Sequence, residues 1–168
     1  MNLYILIGLP GAGKSTYSAS IKNPKKIIIS SDEIREKLFG TGFNETIKEE
    51  VFKELVHETI EYLKKGMDVI VDTTFLNEKE YRSKFISEID VSNFSVKKIA
   101  VIMQTDIEEC ILRDKKRIAN RRVGSTVIRK LNDVLEFPHE NEGFDLLLKI
   151  KGQNENYKEN FRDSIINL

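Results

Sequence analysis

The chain has one cysteine, Cys110, two histidines, His57 and His139, and three prolines among 168 residues. One thiol allows no internal disulfide and fits a reducing compartment, and two imidazoles do not make up the ligand set of a zinc site. The prolines, Pro10, Pro24 and Pro138, all fall at boundaries between patterned segments. Net charge is missing too, with 27 Lys+Arg against 27 Asp+Glu. A surface without a basic excess does not attract nucleic acid or anionic membrane as a whole, so any basic site must be local. No uncharged apolar stretch approaches the roughly 20 residues that a membrane span needs. Leu3 to Ile7 has no preceding basic region and is too short for a secretory signal. These absences lead to the expectation of a cytoplasmic protein without a membrane segment.

What is present suffices for a core. A domain of this length buries roughly two-thirds of the surface that its unfolded chain exposes, and 40% of the residues are hydrophobic. Short apolar runs alternate with longer helical patterns. The runs are Leu3 to Ile7, Lys26 to Ile29, Asp68 to Asp72, Val96 to Met103 and Phe144 to Ile150; they lack strict polar alternation, as strands buried on both faces of a parallel sheet do. Helices are predicted at Lys14 to Ile21, Asp32 to Phe39, Thr46 to Lys65, Glu78 to Ile89, Asp106 to Arg117 and Ser125 to Phe137, with a last one at Asn156 to Ile166. The longest carries Ile47, Val51, Phe52, Leu55, Val56, Ile60 and Leu63 on one stripe, and Gly66 follows as a C-cap. The expected architecture is a single α/β domain over residues 1–168, with a mainly parallel sheet of about five strands flanked by helices.

Directly after the first run stands Gly8-Leu9-Pro10-Gly11-Ala12-Gly13-Lys14-Ser15, which fits G-x-x-x-x-G-K-[ST] in its required strand-to-helix context, with Thr16 next to it. The glycines let successive N–H groups curl toward an anion, and the following helix presents its positive end to the same place. Lys14 can reach the β and γ phosphates and the Ser15 hydroxyl can ligate Mg²⁺. A nucleoside triphosphate and Mg²⁺ are therefore the expected ligands, and the motif does not state where the γ phosphate goes.

The second run leads into Ser31-Asp32-Glu33-Ile34-Arg35. Ligands of open parallel sheets bind beyond the carboxyl ends of the strands, so Asp32 falls on the same rim as the phosphate loop. Its carboxylate can accept a proton from an attacking hydroxyl, and Arg35 can hold an acceptor phosphate. An N-cap role for Ser31 or Asp32 explains the same residues. Asp72 closes an apolar run where a Mg²⁺-organising aspartate is expected, acting through water; an aspartate of the turn that ends the strand is the alternative. From Arg113 to Arg122 there are six basic residues and one acidic residue. On one helix, Arg113 and Arg117 share a face and can close over a triphosphate; a solvated basic helix is the alternative. The roles of Arg121, Arg122 and His139 stay open. His57 reads as a surface or boundary residue and Cys110 as a small buried hydrophobe. Phe39, Phe43, Tyr62 and Phe75 are mostly core, with Phe43 and Phe75 also able to stack on a base.

Together these motifs resemble the P-loop kinase family that includes phage and bacterial polynucleotide 5′-hydroxyl kinases. The resemblance runs from Gly8 to Thr16 through Ser31-Asp32-Glu33-Ile34-Arg35 and Val71-Asp72-Thr73-Thr74 to Arg113 and Arg117, and is completed by Phe137-Pro138 and Glu142-Gly143-Phe144-Asp145. It implies a P-loop NTPase fold with a helical lid at about residues 113–136, and transfer of the ATP γ-phosphoryl group to the 5′-hydroxyl of a DNA or RNA end. It further implies Asp32 as general base, Arg35 as acceptor-phosphate ligand with Thr73 and Thr74 nearby, and Arg113 and Arg117 on the ATP phosphates. Asp72-Thr73-Thr74-Phe75 stands where these kinases often have D-x-T-N. A small-molecule kinase and a non-catalytic ATP-binding regulator are the competing expectations.

Overall fold

The computed structural model describes residues 1–40, 46–93 and 95–151; Phe43 and the predicted helix at Asn156 to Ile166 lie outside the described residues. All five apolar runs are strands: β1 (Asn2–Ile7), β2 (Lys26–Ser30), β3 (Asp68–Asp72), β4 (Lys97–Gln104) and β5 (Leu146–Lys151). They pair in the order β2-β3-β1-β4-β5, and every pairing is parallel. The helices are α1 (Lys14–Ile21), α2 (Ser31–Phe39), α3 (Thr46–Lys64), α4 (Lys79–Val91), α5 (Ile107–Lys115) and α6 (Ser125–Asp133).

The missing polar alternation in β1 and β3 follows from helices on both faces. On one face Leu3, Ile5, Ile7, Val69 and Val71 pack with Val51, Phe52, Leu55 and Leu63 of α3 and Phe85 and Ile89 of α4. On the other, Leu6, Ile70, Val101 and Met103 pack with Tyr17, Cys110, Ile111 and Ile128 from α1, α5 and α6. Each fully buried side chain of this kind contributes roughly 1.5–3 kcal/mol relative to exposure. Phe75 belongs to the core and stacks on Tyr81, whereas Phe39 at the end of α2 is exposed.

α3 ends one residue early, at Lys64, and two other helices stop further short of the ends that the periodicity predicts. α6 ends at Asp133 rather than Phe137, because Pro138 disfavours helical geometry at the preceding residue and the Glu136 N–H is donated to the Asn77 carbonyl. α5 ends at Lys115 rather than Arg117. There the buried Asp114 carboxylate accepts from the Val123 and Gly124 N–H groups, which turns the chain back toward α6. Arg117 thus lies in the turn after α5, and the expected shared helix face with Arg113 is not formed.

Register sets the functional rim. Asp72 of β3 is level with Leu6 of β1 on one side and Ser30 of β2 on the other. The loop starting at Gly8, the end of β3 and the start of α2 therefore open onto the same edge of the sheet.

Candidate active site

Between β1 and α1 the backbone takes positive φ at Gly8 (146°), Gly11 (86°) and Gly13 (105°). These conformations strain residues with a side chain, and at Gly8 and Gly11 space forbids one as well. A Cβ at Gly8 would lie 2.9 Å from that of Met103, and one at Gly11 would collide with the Cys110 carbonyl. Gly13 precedes α1 with no side-chain cap, so the first-turn N–H groups of the helix face the rim with its positive end.

Lys14 is 7% exposed and donates to the carbonyls of Gly8 (2.6 Å) and Leu9 (3.0 Å). Burial pushes its pKa down; Asp72 opposes that, Arg117 reinforces it, and Cys110 and Asp32 oppose it more weakly. The ammonium thus feels Asp72, Arg117 and Asp32 together, from three different elements. Next to it the Ser15 hydroxyl donates to Asp72 Oδ2 at 3.0 Å. A hydroxyl and a single carboxylate are hard oxygen donors of the kind that hold Mg²⁺ alongside substrate phosphates, and they fit that ion. Among the described residues no cluster of three or more His, Cys, Asp or Glu could hold a metal by itself.

Asp32 sits in the first turn of α2 with its side chain 86% exposed, paired at 2.7 Å with Arg35, whose side chain is 22% exposed. The helix begins at Ser31, its N-cap is Ser30, and that cap makes no side-chain bond. Neither Ser31 nor Asp32 is therefore the N-cap; Asp32 is a first-turn carboxylate paired with Arg35. Thr73 is buried and its hydroxyl accepts from the Phe75 N–H, so it is committed to the turn after β3. Thr74 is half-buried at the start of the 3-10 turn Phe75–Asn77.

At the end of α5, Arg113 pairs with Glu109 at 2.7 Å and Arg117 lies 3.5 Å from Asp114. Arg121 and Arg122 are exposed; Arg122 Nε donates to the Arg117 carbonyl. His139 is exposed, and its backbone N–H is donated to Glu142. Cys110 is buried, and burial pushes its thiol pKa up. His57 lies exposed on α3.

Three supports of the site escape sequence reasoning. Asn77, 1% exposed, accepts from the Gly8 N–H (2.9 Å) and donates to the Gly8 carbonyl (3.1 Å). Arg82 is fully buried and bonds the carbonyls of Leu76, Asn77 and Glu136, and its guanidinium pairs with Glu142 at 2.9 Å. Asp114 fixes the turn that carries Arg117. Only Arg82 leaves a signal in the sequence: it stands in the buried stripe of α4 with Phe85, Ile86 and Ile89, where a charge demands a partner.

Comparison with known proteins bears on the family and the fold. Residues 3–138 match the family described as AAA domain. A relative from Autographa californica nuclear polyhedrosis virus, "Putative bifunctional polynucleotide kinase/RNA ligase", is 34% identical over 89 residues, covering 45% of this chain and 12% of that protein. The chain thus spans a small part of that curated relative. Among solved structures, a "putative kinase" from Chloroflexus aurantiacus superposes with a TM-score of 0.71 at 17% identity, over 99% of this chain and 96% of the other. The Pnkp1/Rnl/Hen1 RNA repair complex gives 0.55 at 19%, over 81% and 46%. A sugar kinase from Janibacter sp. HTCC2649 gives 0.68 at 12%, over 99% and 93%. With its glycine-rich phosphate loop, its Ser15–Asp72 pair and its all-parallel five-stranded sheet, the chain belongs to the AAA domain family and has the fold of the P-loop kinases.

Proposed function

We propose that the protein transfers the γ-phosphoryl group of ATP to a hydroxyl, and that its acceptor is the 5′-hydroxyl end of a DNA or RNA strand. The observation that carries this reading is the Asp32–Arg35 pair. It is a solvent-facing carboxylate with no capping duty, joined to a guanidinium at 2.7 Å, two residues beyond the point where Ser30 lies level with Asp72. The viral relative, which carries polynucleotide kinase in its name, supports the choice of acceptor.

In the proposed reaction Lys14 and the loop N–H groups hold the triphosphate. The acceptor oxygen attacks the γ-phosphorus while the bond to the β–γ bridging oxygen breaks, and ADP leaves with that electron pair. Asp32 orients the hydroxyl and takes its proton late, so an ordinary ionised carboxylate suffices. Arg35 binds the phosphate on the 3′ side of the reacting nucleotide. Arg113 and Arg117 offset charge on the transferring group. Ser15 and Asp72 would hold Mg²⁺, which when bound neutralises charge on the β and γ phosphates.

The acceptor assignment is tested by comparing kcat/KM for a nucleoside, a nucleoside 3′-phosphate and a 5′-hydroxyl oligonucleotide. A charge-assisted contact to the phosphate is expected to favour the last two by about tenfold or more, and Arg35→Gln to erase that preference. Equal use of the plain nucleoside, or faster transfer to a sugar, would overturn it.

A further inference from the structure

The phosphate loop is tied to the turn after β3 by a side chain that the proposed chemistry leaves unused. Gly8 cannot carry a side chain of its own, because Met103 occupies that space, so nothing within the residue fixes its peptide. Asn77 does so from outside: its amide accepts from the Gly8 N–H and donates to the Gly8 carbonyl, and both residues are buried. Asn77 is itself held, its carbonyl accepting from Arg82 (2.8 Å) and from the Glu136 N–H (3.0 Å), its N–H donating to Thr74 (3.2 Å).

The Gly8 carbonyl has a second donor, the Lys14 ammonium at 2.6 Å. For Lys14 to bind a phosphate it must turn away from that carbonyl. A buried carbonyl left without a donor is costly, and Asn77 removes that cost because its Nδ2 stays in place. We propose that Asn77 is a positioning residue for triphosphate binding, which holds the first peptide of the loop and keeps the Gly8 carbonyl bonded while Lys14 passes to the phosphates. This rests on the reading of the loop as a triphosphate site.

A merely structural tie would weaken nucleotide binding by the same factor whatever stands at position 14. A double-mutant cycle read by calorimetry with magnesium-ATP separates the two, using Asn77→Asp and Asn77→Ser, each alone and with Lys14→Met. The loss of one buried hydrogen bond is expected to weaken ATP binding about tenfold in the wild-type background, seen as a raised KM for ATP with kcat little changed. In the Lys14→Met background the same changes should alter affinity less than about twofold. Tenfold losses that persist without Lys14, or no loss in the wild-type background, overturn the role of Asn77 alone. Unchanged affinity in Lys14→Met overturns the triphosphate reading beneath it. The wild-type protein gives a check that no misfolded variant can blur: the Asn77 side-chain amide protons should exchange slowly with and without ATP, and rapid exchange with ATP bound contradicts the proposal.

Discussion

Lys14 joins the sequence motif to a measurable property. Burial is the largest influence on its ammonium and lowers its pKa from the ordinary 10.5, with Arg117 adding to the effect against Asp72. A bound phosphate chain would favour the charged form and move the pKa back up. Nucleotide binding is therefore expected to take up protons at alkaline pH, and affinity to fall as pH rises through the lowered pKa of the free protein. Calorimetry in two buffers of different ionisation enthalpy measures this, and the uptake should vanish in Lys14→Met. At this scale the phosphate loop was legible because its chemistry is written in eight consecutive residues. Asn77 was not, because its partner Gly8 is 69 residues away and only the pairing of β1 with β3 brings them together. Asp32 was half legible. Its position on the rim followed from strand order, while its release from capping duty depended on where α2 begins.

Among the elements, the junction of α5 and α6 carries the greatest consequence for one side chain. Asp114, 2% exposed, receives the N–H groups of Val123 and Gly124 at 2.9–3.2 Å and stands beside Arg117. Asp114→Ala leaves these N–H groups without their acceptor and is expected to cost about 1–3 kcal/mol locally. Hydrogen exchange should show lost protection at Val123 and Gly124, and the KM for ATP should rise as Arg117 loses its anchor. Unchanged protection would show that the turn stands without Asp114. Strands and helices were readable from periodicity to within a few residues, since the apolar stripes report burial directly. The ends of α5 and α6 were not, because tertiary contacts stop them: Asp114 captures the chain after one, and Asn77 takes the Glu136 N–H after the other. That difference moved Arg117 off the helix on which the basic run had placed it.

For the whole molecule, the buried Arg82–Glu142 pair ties the turn after β3, and through Asn77 the phosphate loop, to the segment after α6. Burial pushes the Glu142 carboxyl up, but the Arg82 hydrogen bond, the His139 N–H and the Arg82 charge together hold it below its ordinary 4.5. A carboxyl lowered on folding contributes stability above its unfolded pKa and loses it as pH falls through the folded one. Acid unfolding should thus steepen below about pH 4.5, and Glu142→Gln should flatten that limb while lowering stability at neutral pH by about 3–5 kcal/mol, as breaking a buried pair does. Melting curves from pH 3 to 7 test both. The balance of 27 basic and 27 acidic residues gained meaning at this scale. Neutrality is compatible with an enzyme that grips one strand end through a few phosphates, with basic residues gathered between Arg113 and Arg122 beside the rim. The most direct measurement is transfer of label from γ-labelled ATP to a 5′-hydroxyl oligonucleotide by the wild type and by Asp32→Asn. Label should appear on the 5′ end, and Asp32→Asn should lose about a hundredfold or more in turnover with ATP affinity unchanged. No labelled 5′ end, or a variant that keeps more than about a tenth of wild-type turnover, would contradict it.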